Sequence, residues 1–323
     1  MRACMRHYHL DRTHTGRDDN AAPGGKEVKT VGRSWIREKK TVCGQNYMEI
    51  DILPITEREH RAGRAKKEKP SSEAQKNLND KRAKRYFIQK AETNFHAGDL
   101  RVDLTYNDTF RPDTVEEAEH RFELFRRKFV RWCKREGYPN PKWMCITEYG
   151  QNKRGKMVRI HHHLLLSGYI DRDALEAMWS TGRGKAARPL GIVKSVRLQP
   201  QDGTLQPLMH YLIKQAAGKR HWRSSLNLDE PRRPRPNDSK YSRAKLARLA
   251  QGEVYNKEWW ARQYPGWELV ESEAEYNELS GWSVVAKLRR SRPLPPPPWP
   301  KRKEVKKNGN QIRGSRTKRS PAG

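Results

Sequence analysis

Residues 159–168 form the stretch Arg159-Ile160-His161-His162-His163-Leu164-Leu165-Leu166-Ser167-Gly168. This stretch is apolar after the histidines, ends in Ser-Gly and has the length and composition of a buried β-strand. Because alternate side chains of a strand share a face, we expect His161 and His163 to point one way and His162 the other. Two imidazoles on one face of a rigid strand make half of a metal site. The simpler alternative is a polar start to a core strand.

The segment before this stretch supplies a candidate third ligand. Residues 142–149, Lys-Trp-Met-Cys-Ile-Thr-Glu-Tyr, predict a second strand, and the polar, Gly-containing residues 150–156 predict a hairpin between the two. An antiparallel hairpin brings Glu148 beside the histidine strand. Two histidines and one carboxylate leave coordination positions open, which suits Mg²⁺ or Mn²⁺ holding a phosphate better than a closed structural zinc site.

A helix is predicted over residues 207–218, with Pro207 in its first turn and Gly218 just past its end. Tyr211 and Lys214 are three residues apart and therefore share a helix face. An isolated tyrosine on such a helix is better explained as a core residue, so this pair gains meaning only together with the histidine strand.

The ordered set of these features resembles the HUH endonucleases: Thr147-Glu148, then His161 and His163 before a hydrophobic run, then Tyr211 and Lys214 on a helix. More closely, the chain is similar to the single-tyrosine rolling-circle replication initiators of bacterial mobile elements and phages. Residues 98–106 look like the first motif of that group, and residues 218–228 and 61–70 also resemble it. The resemblance extends from about residue 61 to residue 227.

The resemblance implies a division of roles among these residues. Tyr211 is expected to be the nucleophile, Lys214 an assisting residue, and Glu148, His161 and His163 the ligands of Mg²⁺ or Mn²⁺. The implied products are a 5′-phosphotyrosyl bond to DNA and a free 3′-hydroxyl. Because no second tyrosine lies one helical turn from Tyr211, we expect a single-tyrosine mechanism, in which a second cleavage needs another subunit or another nucleophile.

The composition points to a polyanionic partner. The 323 residues carry a formal net charge of +30, and only 34% of them are hydrophobic. The sequence has no apolar run of the roughly 20 residues that a membrane span needs and no signal peptide, and its four cysteines are scattered, so we expect a cytoplasmic protein. The expected partners are single-stranded DNA at a replication origin and, because we find no nucleotide-binding motif, a host helicase and a DNA polymerase. The oligomeric state stays open.

Two basic segments are candidates for DNA contact. A charged run before residue 85 predicts an arm on the DNA backbone, and the segment after the tyrosine helix combines a stacking ring with cations, as single-stranded DNA grooves do. The candidate residues are Arg64, Lys66, Lys67, Lys219, Arg220, Trp222 and Arg223.

The order of predicted elements indicates an α+β fold. A strand over 99–106 is followed by a helix that opens at the capping box Thr114-Val115-Glu116-Glu117, the two strands above, a helix capped by Asp171 and a strand over 191–198. This βαββαβ order predicts a ferredoxin-like (split βαβ) antiparallel sheet with helices on one face, the sheet on which HUH endonucleases are built.

The flanks of this core are predicted from composition. We expect five regions: 1–60 of unknown fold, 61–97 as basic arm and helix, 98–228 as HUH endonuclease core, 229–290 as a polar, tryptophan-containing extension with short helices over 241–279, and 291–323 as a proline-rich, then basic and disordered tail.

The leading hypothesis is a metal-dependent endonuclease and strand transferase that nicks single-stranded DNA at an origin to start rolling-circle replication. A conjugative relaxase or single-tyrosine transposase has the same chemistry on another DNA substrate. A non-catalytic basic DNA-binding protein is the alternative from a different class, because contacts to the DNA backbone need no tyrosine.

Overall fold

A computed structural model describes residues 34–57, 73–151, 155, 157–182, 184–214 and 222–304 of the chain. These residues form an α+β structure with a five-stranded and a four-stranded antiparallel sheet, plus a two-stranded hairpin. Among the helices of the described residues, none is both long enough and apolar enough to cross a membrane.

The elements follow one another along the chain as strands and helices of moderate length. The strands are β1 (Ser34–Cys43), β2 (Tyr47–Thr56), β3 (Leu100–Leu104), β4 (Trp143–Gln151), β5 (Met157–Leu166), β6 (Ser180–Thr181), β7 (Arg188–Pro189), β8 (Val193–Arg197), β9 (Arg223–Ser224), β10 (Trp267–Asn277) and β11 (Gly281–Arg290). The helices are α1 (Glu73–Asn94), α2 (Val115–Arg135), α3 (Arg172–Met178), α4 (Gln206–Lys214), α5 (Arg243–Arg248) and α6 (Lys257–Gln263).

The five-stranded sheet has the order β8-β3-β5-β4-β9, and all neighbouring strands are antiparallel. The strand prediction for the histidine stretch is confirmed, since β5 ends at Leu166. In the register of the sheet, His163 pairs with Asp103 of β3 on one side and with Ile146 of β4 on the other, and Glu148 pairs with His161. Directly paired residues of antiparallel strands share a face, so these side chains lie on the same side of the sheet.

Helices cover both faces of this sheet, so the prediction of helices on one face is wrong. On one face, Leu100, Val102 and Leu104 pack with α2 and α3. On the other face, the core is built from β4, β5, α1 and α4; it contains Met144, Ile146, Leu165, Phe87, Ile88, Ala91, Met209, Leu212 and Ile213. The physical reason is that β4 and β5 carry apolar side chains at consecutive positions, and a strand that is apolar on both faces must be covered on both.

The local signals at the helix starts are confirmed. The Thr114 hydroxyl accepts a hydrogen bond from the Glu117 backbone N–H at the start of α2, and the Asp171 carboxylate accepts one from the Ala174 N–H at the start of α3. These caps satisfy backbone donors that have no partner within the helix.

The second sheet joins the two ends of the described chain. Its order is β1-β2-β11-β10, and the β2–β11 pairing extends from Tyr47 opposite Arg289 to Ile52 opposite Val284. The helices α5 and α6 cover one face of it, with Trp260 fully buried. The N-terminal and C-terminal regions predicted as separate therefore form one unit, and the short helices predicted over 241–279 end before 267, where β10 begins.

A proline-rich segment then returns to the first sheet. The Asn46 side chain and Leu294 exchange two hydrogen bonds, of 3.0 and 2.8 Å. Trp299 lies against Gly98 and Gly168, and the Lys303 N–H donates to the Gly137 carbonyl at 2.8 Å. The prediction of disorder from the start of this tail is therefore wrong up to residue 304, because Trp299 gives the segment an apolar contact; residues 305–323 lie outside the described residues.

Helix α1 also connects the two sheets. Its Arg85 forms a double hydrogen bond with Asp51 of β2, at 2.8 and 3.0 Å, and also contacts Glu49. Near its other end, the buried Glu92 carboxylate accepts a hydrogen bond of 2.7 Å from the Leu205 N–H, one residue before α4. Burial raises the pKa of Glu92 to about 8, against the lowering effect of the backbone N–H groups. The helix predicted as part of a basic arm thus belongs to the core.

Candidate metal and tyrosine site

Glu148, His161 and His163 bring three potential ligand atoms together at the end of the β4–β5 pair. The Nε2 atoms of the two histidines are 3.1 Å apart. The Glu148 Oε2 atom lies 3.0 Å from Nε2 of His163 and 3.1 Å from Nε2 of His161. The three side chains are 6% to 20% exposed, so the group is shielded but open to solvent on the His161 side.

The spacing of these atoms fits a divalent cation. Ligands of Mg²⁺ lie about 2.0–2.1 Å from the ion in octahedral geometry, which puts neighbouring ligand atoms about 3.0 Å apart. Three atoms with pairwise distances of 3.0–3.1 Å therefore match one triangular face of an octahedron. The opposite three positions would be left for water or for phosphate oxygens. Among the described residues, this is a group of acidic and histidine side chains that could hold a metal ion.

Hydrogen bonds at the far nitrogens orient both rings. Nδ1 of His161 lies 2.8 Å from the Arg159 carbonyl oxygen, which can only accept a hydrogen bond. Nδ1 of His163 lies 2.7 Å from Oδ1 of Asp103. With the proton on Nδ1 in each ring, the Nε2 lone pairs face each other and Glu148, as metal ligation requires.

Asp103 is a part of the site that the sequence analysis missed. It sits on β3 opposite His163, and its carboxylate also accepts two hydrogen bonds from Arg101, of 3.1 and 3.0 Å. Burial acts to raise the pKa of Asp103, but the hydrogen bonds from His163 and Arg101 outweigh it and hold the pKa below its usual range. The alternation of β3 contained the signal, since Arg101 and Asp103 share its polar face.

Arg101 links this group to the tyrosine helix. Its guanidinium carbon lies 6.0 Å from the centre of the Tyr211 ring. The Tyr211 side chain is 53% exposed, whereas its neighbours Leu212 and Ile213 are buried against β4 and β5. The phenol is therefore held on the same side of the sheet as His163 and is not packed in the core, the simpler alternative for this residue. Lys214 ends the helix, and its side chain lies outside what the structure describes.

His162 points to the opposite face, as predicted, and belongs to the core. It is fully buried, with one ring nitrogen 2.9 Å from the Tyr106 hydroxyl and the other 3.0 Å from the Thr147 hydroxyl. Burial lowers the pKa of His162 to about 3, helped by the positive charge of Arg223. This histidine is neutral at neutral pH and structural.

The structure covers two of the seven residues predicted to contact DNA. Arg64, Lys66, Lys67, Lys219 and Arg220 lie outside the described residues. The Trp222 ring packs at 5.7 Å from Phe87 of α1, and the Arg223 guanidinium lies 5.0 Å from the centre of the Phe122 ring. Both side chains are half-buried at the β9 edge, where much of their surface is already used in packing.

One comparison with known families agrees with this site. Residues 99–216 match a family model described as a replication-associated protein of the ORF2 type. The matched stretch is shorter than half of the chain, and it runs from the start of β3 to the end of α4, so it contains the three candidate ligands, Asp103 and Tyr211. The match supports a role associated with replication. Neither the search of curated proteins nor the search of solved structures found a match.

Proposed function

We propose that this chain is a metal-dependent HUH endonuclease and strand transferase that nicks single-stranded DNA at an origin and starts rolling-circle replication. One observation carries the proposal: the ligand atoms of Glu148, His161 and His163 converge on the face of the sheet from which the half-exposed Tyr211 projects. The strand order β8-β3-β5-β4 with βαββαβ connections supports a ferredoxin-like core, and the match to a replication-associated family supports the biological role.

The three side chains fit Mg²⁺ or Mn²⁺ by donor type and by spacing. When bound there, the ion supplies Lewis-acid stabilisation of charge on a phosphate oxygen. The remaining work falls to the chain's own residues. Asp103 holds His163 in the ligating tautomer, and the Arg159 carbonyl does the same for His161.

Tyr211 is the proposed nucleophile. A phenol has a pKa of about 10, so ionising it at pH 7 costs roughly 4 kcal/mol. The nearby Arg101 guanidinium offers positive charge that offsets part of this cost. The phenol oxygen loses its proton and forms a bond to phosphorus, the bond to the 3′-oxygen breaks, and the DNA is left with a 5′-phosphotyrosyl link and a free 3′-hydroxyl. The free 3′-hydroxyl serves a polymerase as primer.

A host helicase, a DNA polymerase and a cytoplasmic location remain predictions that accompany this function. The assisting role of Lys214 remains one as well, and Arg101 is the cation for which a contact with the Tyr211 ring is described.

The test is covalent capture of DNA. The full-length protein is incubated with Mn²⁺ and single-stranded oligonucleotides tiled across the protein's own genetic element, and adducts are resolved on a denaturing gel and mapped by mass spectrometry. We expect one cleaved sequence and an adduct on Tyr211. The Tyr211→Phe protein should form none, whereas Tyr276→Phe, at a similarly exposed tyrosine of β10, should react as the wild type.

The outcome also separates the alternative functions. An adduct on oligonucleotides from a transfer origin or a transposon end, and on no replication origin, would favour a relaxase or transposase. Salt-sensitive DNA binding without an adduct under any divalent metal would favour a non-catalytic DNA-binding protein. An adduct that persists in Tyr211→Phe would refute the assignment of the nucleophile.

A further inference from the structure

Part of the sheet face that carries the candidate ligands is left open by α1 and α4. On β8, Lys194 pairs with Asp103 and Val196 pairs with Arg101, so both side chains point to this face. Val196 is 44% exposed, and Ile192, which continues the alternation before Lys194, is 76% exposed. We name Ile192, Lys194 and Val196 the β8 strip.

The other face of β8 is fully engaged. The buried Ser195 hydroxyl accepts a hydrogen bond of 2.9 Å from Arg172 of α3 and also contacts Glu176, and Arg172 donates at 2.8 Å to the Ser195 carbonyl. These contacts fix the orientation of β8. The exposure of the strip is thus a consequence of a well-anchored strand and not of a loose edge.

The strip adjoins the proposed nucleophile. Val196 lies opposite Arg101, and the Arg101 guanidinium lies 6.0 Å from the Tyr211 ring. Tyr211, Val196 and Ile192 are therefore three exposed large apolar side chains close to one another, beside a cation. Among the residues that the structure describes, Lys194 is exposed and takes part in no ion pair.

We propose that the β8 strip binds the single-stranded DNA next to the scissile phosphate, with Ile192 and Val196 against bases and sugars and Lys194 at a phosphate. This proposal rests on the proposed function for the identity of the substrate. Single-stranded DNA presents both apolar base faces and regularly spaced negative charge, which complement alternating apolar and basic side chains. A folded protein partner would need about 800 Å² of surface on each side, far more than three side chains provide.

The binding test uses the full-length protein with Tyr211→Phe, which binds DNA without cleaving it. Anisotropy of a fluorescein-labelled oligothymidine of about 16 nucleotides is measured over a range of salt concentrations. Lys194→Gln should make the slope of log K against log salt shallower by about 0.7, the value for one lost phosphate contact on single-stranded DNA. Ile192→Thr with Val196→Thr should weaken binding about fivefold at constant slope, because apolar contacts release no counterions.

Two control variants repeat these changes on the other sheet. Lys39→Gln removes an exposed cation from β1, and Val270→Thr alters a valine of the edge strand β10 that is 43% exposed. Both should bind the oligonucleotide as the parent protein does. Equal losses in the control and strip variants, or an unchanged salt slope for Lys194→Gln, overturn the proposal.

Adduct formation separates this inference from the proposed function. If the β8 strip variants with Tyr211 restored form the adduct at saturating DNA but need higher DNA concentrations, both stand. If the wild type forms the adduct and the strip variants need no more DNA, the strip proposal alone fails. If no protein forms an adduct but the strip variants still lose binding and salt slope, the proposed function fails and the strip remains a DNA-binding surface.

Discussion

Replacing Asp103 by asparagine tests whether this residue holds the metal site in order. The carboxylate accepts a hydrogen bond of 2.7 Å from His163 and two from Arg101, and it is only 17% exposed. Asparagine has nearly the same shape but carries no charge. Loss of a carboxylate that orients a metal-binding histidine typically lowers metal affinity about 10–100-fold, which is about 1.4–2.7 kcal/mol. We expect a decrease in that range for Asp103→Asn.

The measurement is a titration of the full-length protein with Mn²⁺, in which electron paramagnetic resonance reports the free ion. The matched control is Asp238→Asn, because Asp238 accepts the same pair of hydrogen bonds, here from Arg37, but is 42% exposed and lies beside the second sheet. Its Mn²⁺ affinity should equal that of the wild type. If Asp103→Asn binds Mn²⁺ as tightly as the control, Asp103 has no role in orienting His163.

Three further predictions concern stability. The folded protein holds the pKa of His162 near 3, so the unfolded chain takes up the proton first; as pH falls below about 6.5, the free energy of unfolding should fall by up to about 1.4 kcal/mol per pH unit, and His162→Leu should flatten this slope in urea titrations. In thermal melts, Gly168→Ala should be strongly destabilising because its Cβ would lie 2.2 Å from the Gly98 carbonyl oxygen, whereas Gly252→Ala, with nothing within 4 Å, should be neutral or stabilising. Trp299→Ala should lower the melting temperature; an unchanged value would show that the proline-rich segment contributes nothing to stability.

The parts of the fold that the sequence predicted are those set by local pattern. Alternation identified the histidine strand, and a short polar connection after Glu148 required a hairpin, which placed that carboxylate opposite His161. Capping residues located the start of α2. In each case the determining interactions lie within a few residues or across one hairpin, so periodicity and turn chemistry were sufficient.

The parts that the sequence did not predict depend on contacts between distant segments. Asp103 and Arg101 were assigned only to the polar face of a strand, because their role depends on β3 lying beside β5. The helices on the second sheet face were missed because consecutive leucines in β5 do not say what covers each side. Trp222 was assigned to stacking with DNA, but its ring packs against α1, a contact that joins residues far apart in sequence.

The pairing of β2 with β11 has a consequence for how the protein is made. At the end of this pair, Arg290 donates a hydrogen bond to the Gln45 carbonyl across 245 positions of sequence. During synthesis, the first hairpin must therefore wait, with the apolar Ile50 and Ile52 uncovered, until β11 has left the ribosome. A message cut short before β11 yields a chain with a sticky open strand, so translation through β11 acts as a quality check on every copy.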